Sequence, residues 1–77
     1  MSATIDVRDM LCAQALAQVS SVMRRVEAGA LVEVICNTVD VRDDLLTWAK
    51  TQGHAIVEPV SQGPDIVMQL RKHGDYP

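Results

Sequence analysis

Ile5-Asp6-Val7-Arg8-Asp9-Met10-Leu11-Cys12-Ala13-Gln14-Ala15-Leu16 contains the change of period that decides the fold. Leading into it, Ala3-Thr4-Ile5-Asp6-Val7 alternates apolar and polar side chains with β-branched members, the pattern of a short half-buried strand. Beyond it, from Ala13 to Ala28, Leu16, Val19, Met23 and Val26 recur at helical spacing, while Gln14, Gln18, Ser21 and Arg25 fall opposite. That stretch reads as an amphipathic helix closed by Gly29. Cys12 stands at the junction of the two, where α/β sheets place ligands and reactive groups.

Working outward, Leu31-Val32-Glu33-Val34-Ile35-Cys36 is short, apolar and β-branched, and the return from the helix makes it a parallel partner of the first strand. Asn37 or Thr38 can cap a second helix, with Asp40, Asp43 and Asp44 in its first turns, where the helix dipole favours acids. Val41, Leu45, Trp48 and Ala49 form the buried face of that helix, and Gly53 stops it. His54 to Val60 reads as a third strand, with Pro59 near its end suggesting an edge or terminal position. Ser61-Gln62-Gly63-Pro64 is a turn, and Asp65 to Arg71 alternates again to close a hairpin. The order βαβαββ predicts an α/β (α+β) two-layer sandwich, a four-stranded mixed sheet with two helices on one face. The chain reads as one domain over residues 1–77, with a flexible tail over 72–77. The other sheet face stays open, and strand two offers it apolar residues whichever way its alternation points.

The chain has 77 residues, 48% of them hydrophobic and 22% charged, which suits one small globular domain with one core. Its aromatic side chains are Trp48 and Tyr76 alone, so base-stacking platforms are missing. The net charge is −3 and the basic residues are scattered, which argues against nucleic acid as a partner. No apolar run approaches membrane-spanning length, and the first residues lack the pattern of a secretory signal. A cytoplasmic, reducing compartment and a monomer are therefore expected, with both cysteines present as thiols.

Each cysteine then has two readings. A cysteine beside Met10 and Leu11 can be an inert core residue. At a helix start, the unpaired backbone N–H groups favour the thiolate, the form that attacks sulfur. Cys36 shares the parity of Val32 and Val34 and reads as core, with a resolving thiol or a disulfide to Cys12 at the same sheet edge as the alternative. His54 and His73 have no ligands at metal spacing beside them, so neither metal nor cofactor is expected. The acids of helix two are explained by its dipole.

The segment from Ile5 to Leu16 resembles the strand-loop-Cys-Pro-x-Pro-helix opening of the TusA (SirA-like) family of sulfur carriers. The resemblance continues without gaps through Gly29-Ala30-Leu31-Val32-Glu33-Val34 and Val41-Arg42-Asp43-Asp44-Leu45-Leu46-Thr47-Trp48-Ala49 to Gly53-His54 and the final strand. It implies the βαβαββ fold. It also implies that Cys12, the motif cysteine, carries sulfane sulfur as a persulfide from a donor protein, a desulfurase or rhodanese, to an acceptor protein. Asp44 matches an acidic residue of the family whose expected role is to cap or orient helix two. Ala13 and Ala15 stand at the two proline positions, Asp9 at a usual glycine, and Leu11 where a polar or basic residue is common. Val39 and Leu46 stand at two further frequent prolines. Alanine keeps the helix but loses preorganisation of its start, and Asp9 without a nearby cation is expected to raise the Cys12 pKa. The alternative is a non-catalytic interaction module that keeps the fold without the chemistry.

Overall fold

The computed structural model describes residues 2–72. Strand β1 (Ser2–Asp6) leads into helix α1 (Cys12–Arg25), followed by β2 (Leu31–Cys36), α2 (Val39–Gln52), β3 (Ala55–Gln62) and β4 (Asp65–Arg71). The strands lie in the order β1-β2-β4-β3. β1 and β2 are parallel, with Ile5 opposite Val34, while β4 runs antiparallel to both β2 and β3. This is the expected mixed sheet. The last strand inserts between β2 and β3 and so takes the central position that its buried Met68 and Leu70 require.

The sheet faces are now assigned. Val32, Val34 and Cys36 of β2, Ile5 and Val7 from β1 and its exit, and Met68 and Leu70 of β4 are buried. They pack against Ala15, Val19 and Met23 of α1 and Val41, Leu45 and Ala49 of α2 in one cluster. Trp48, expected in the buried face, is half-buried at its margin, with its ring centroid 5.4 Å from that of His54. Leu31, Glu33 and Ile35 take the opposite parity on the open face.

Several boundaries differ from the sequence expectation for local reasons. Helix α1 begins at Cys12 itself and ends at Arg25, because Val26 turns extended (ψ 158°). Gly29 (φ 85°) lies beyond the helix, in a turn closed by the Ala30 N–H donating to Glu27 O at 3.0 Å. That positive φ at the third turn position marks a type II turn. Gly53 (φ 80°) does end α2, with its N–H directed to Lys50 O and that of His54 to Ala49 O. This double closure is the Schellman arrangement. β3 runs two residues past Val60, so the hairpin loop shrinks to Gly63-Pro64. Gly63 has φ 64° and proline fixes its own φ negative, the combination of a type II′ hairpin. The register slips between Val57 and Val60, where Pro59 sits in a bulge on the edge strand. Lys72, grouped by sequence with the tail, is fastened: its N–H donates to Ala30 O at 2.9 Å and its Nζ to Val26 O at 2.7 Å. His73 to Pro77 lie outside the described residues.

Candidate functional site

Because β1 and β2 are parallel and each feeds a helix, both helices start at the same pole of the molecule. Cys12 is the first residue of α1 there. Leu11 precedes it with extended backbone (ψ 158°) and has no side-chain acceptor, so it cannot cap the helix. The closure comes from the other direction, as the Gln14 Oε1 accepts from the Leu11 N–H at 3.0 Å, half of a capping box. The first intrahelical bond runs from the Ala15 N–H to Leu11 O at 2.9 Å. The amides of Cys12, Ala13 and Gln14 thus form the electropositive first turn.

The loop that delivers Cys12 is held by a pair of residues that the sequence reading did not join. Asp9 takes the left-handed conformation (φ 63°), which explains how a position suited to glycine accommodates it, since Asp tolerates that region better than most residues. Its N–H donates to Asn37 Oδ1 at 3.0 Å, and Asn37 Nδ2 donates to Asp9 Oδ1 at 2.8 Å. The β1–α1 and β2–α2 loops are thereby clamped together. Below the clamp, Arg8 pairs with Asp6 at 2.8 Å and Asp65 at 3.3 Å, which ties the end of β1 to the start of β4.

Cys12 is partly exposed and packs against the margin of the core. Its thiol is pushed up from the ordinary cysteine value. Hydrogen bonding to the Asp44 side chain is the first cause, then burial, then the negative charges of Asp44 and Asp40, while its own backbone N–H pulls the other way. The direction agrees with the sequence expectation, but the cause does not. Asp9 is engaged with Asn37, and the opposing carboxylates come from α2. Asp40 and Asp44 are one helical turn apart and share a face, and this face is turned to Cys12. Asp44 does not cap α2 either. Thr38 does, its Oγ1 accepting from the Val41 N–H at 3.3 Å.

Cys36 is fully buried beneath the helices, with its Sγ 3.9 Å from Thr38 O, and burial pushes its thiol up as well. Both cysteines are free, and of the two only Cys12 reaches solvent. Leu11, 73% exposed, and Val39, 54% exposed, project at this same pole, each two residues beyond a member of the Asp9–Asn37 clamp.

Comparison with protein families matches residues 3–72 to sulfurtransferase TusA. The chain belongs to the TusA family. Among the relatives of this TusA family chain, YrkI of Bacillus subtilis, named as a candidate sulfur carrier protein, is 24% identical over 68 residues, 88% of this chain and 91% of YrkI. A candidate sulfur carrier protein of Archaeoglobus fulgidus is 32% identical over 54 residues, 70% of this chain and 74% of that protein. The crystal structure of a SirA-like protein from Desulfitobacterium hafniense superposes with a TM-score of 0.82 at 20% identity, covering 92% of this chain and 97% of the other. Its fold is the same.

Proposed function

We propose that this TusA family chain is a sulfur carrier and that Cys12 holds the cargo. In the forward step the Cys12 thiolate attacks the outer sulfur of a donor persulfide. The donor S–S bond breaks, the donor thiolate leaves and takes up a proton, and Cys12 becomes a persulfide. In the second step an acceptor thiolate attacks that outer sulfur and Cys12 leaves as thiolate. No net oxidation occurs, so the protein needs neither metal nor redox cofactor. The helix-α1 amides favour the anion that both steps pass through. A desulfurase or rhodanese suits the donor role, and an acceptor thiol on a protein the other.

The observation that supports this reading is the exposure of Cys12 on the first turn of α1 while Cys36 is sealed in the core. Incubation with thiosulfate and a rhodanese, or with cysteine and a desulfurase, followed by intact mass measurement, should show the gain of one sulfur atom. Absence of that gain under both donors contradicts the reading. The second reading, an interaction module without sulfur chemistry, is favoured by the two α2 carboxylates that disfavour the Cys12 thiolate. It predicts that neither donor adds sulfur to Cys12, although the thiol is open to solvent.

A further inference from the structure

The pole around Cys12 combines two features that sulfur chemistry by itself does not require. Leu11 and Val39 are large apolar side chains left in solvent, on either side of the clamp that joins the two loops. Beside them Asp40 and Asp44 are exposed on the first turns of α2, which starts at the same pole as Cys12 on α1 because β1 and β2 are parallel, and their charge disfavours the thiolate. Among the described residues neither acid forms an ion pair, whereas their neighbour Asp43 is held by Arg42 at 2.9 Å. An apolar pair bordered by two uncompensated carboxylates is complementary to an apolar surface bordered by a cation. The same cation, brought against Asp44, offsets the charge that disfavours the thiolate.

We propose that Leu11, Val39, Asp40 and Asp44 form the docking rim for a partner whose sulfur-bearing cysteine is flanked by an arginine or lysine. That cation, set against Asp44, frees Cys12 for attack in the docked complex. In the free carrier the acids disfavour the Cys12 thiolate. The inference rests on the carrier reading for its setting. Its physical core, a negative field at Cys12 that a cation relieves, is measurable without sulfur transfer.

The experiment compares a cationic and an anionic methanethiosulfonate of similar size on the wild type, the Asp40→Asn/Asp44→Asn double variant and Asp43→Asn, all in the Cys36→Ser background. The cationic reagent should react preferentially with the wild type. The preference should fall by about threefold for each acid removed, the scale of an exposed charge pair, and stay unchanged in Asp43→Asn. Two peptides of equal length, each bearing one cysteine persulfide and flanked by leucine with either arginine or glutamate, then probe docking. Faster loading by the arginine peptide, lost in the double variant, supports the proposal. Equal loading by both overturns the docking chemistry. An unchanged reagent preference in the double variant overturns the field at Cys12. Failure of both peptides to load, beside a normal reagent response, counts against the carrier reading and leaves the field established. Dimerisation in sedimentation that Leu11→Ser abolishes would assign the rim to a second copy and overturn the proposal.

Discussion

Replacing Asp9 by glycine and by alanine separates the two duties of that residue. Either change removes the carboxylate that accepts from Asn37 Nδ2 at 2.8 Å, and an exposed hydrogen bond of this kind contributes about 0.5–1.5 kcal/mol. The bond from the residue 9 N–H to Asn37 Oδ1 at 3.0 Å is a backbone bond and survives both. What differs is the left-handed backbone at φ 63°, which costs a residue with a β-carbon about 1–2 kcal/mol and glycine almost nothing. Glycine's larger freedom in the unfolded chain takes back about 0.4–1 kcal/mol. Asp9→Gly should therefore lie within about 0.5 kcal/mol of wild type, the relieved strain nearly offsetting the lost bond and the unfolded-state entropy together. Asp9→Ala keeps the strain and loses the bond, and should lose about 0.5–1.5 kcal/mol. Urea unfolding with linear extrapolation reads both values, and at this chain length the alanine variant should melt several degrees lower, by about 4–8 °C per kcal/mol. If alanine is tolerated as well as glycine, the positive φ and the clamp assigned to Asp9 are wrong.

Leu45→Ala empties a fully buried site between α2 and the sheet. It should cost about 2–5 kcal/mol, a large share of the margin available to so small a domain, read as a lower urea midpoint. Restoring the family prolines should split them. Ala13→Pro gives up no intrahelical bond and should raise stability by about 0.4–1 kcal/mol. Ala15→Pro removes the 2.9 Å bond to Leu11 O at a fully buried position and should lower it by about 1–3 kcal/mol; thermal melts of the pair check the order. The Arg8 side chain bonded to Asp6 holds that carboxyl at about 2, below its ordinary value of 3.8. A depressed folded value means that its stabilising contribution is present above pH 3.8 and disappears as pH falls through about 2. Arg8→Ala should flatten the acid limb of the stability curve in that window.

Element type was legible wherever a period ran for several residues. The alternation before Asp6, the helical spacing of Leu16, Val19 and Met23, and the apolar run of β2 each specify one local structure. Gly53 marked the end of α2 correctly because a helix that must reverse needs a left-handed residue there. Gly29 misled because the same conformational freedom serves a type II turn, and nothing local shows that Val26 already leaves the helix. The parity of β2 needed the helices in place before Val32, Val34 and Cys36 could be assigned to the covered face. At the candidate site, the position of Cys12 followed from the strand-to-helix junction. Its electrostatic partners did not, since Asp40 and Asp44 are distant in sequence and reach the thiol pole only through the parallel pairing of β1 with β2. The spacing of Asp40 and Asp44 by one turn was the available signal, and the helix dipole explained it too readily.

The measurement closest to the central claim follows labelled sulfane sulfur through the protein. Wild type, Cys12→Ser and Cys36→Ser are each loaded from a rhodanese with radiolabelled thiosulfate, freed of donor, and mixed with a reduced acceptor thiol. Wild type and Cys36→Ser should take up the label on Cys12, release it to reductant and pass it to the acceptor, while Cys12→Ser should take up none. Label retained by Cys12→Ser, or held on Cys12 but never surrendered to the acceptor, would contradict a relay through this residue.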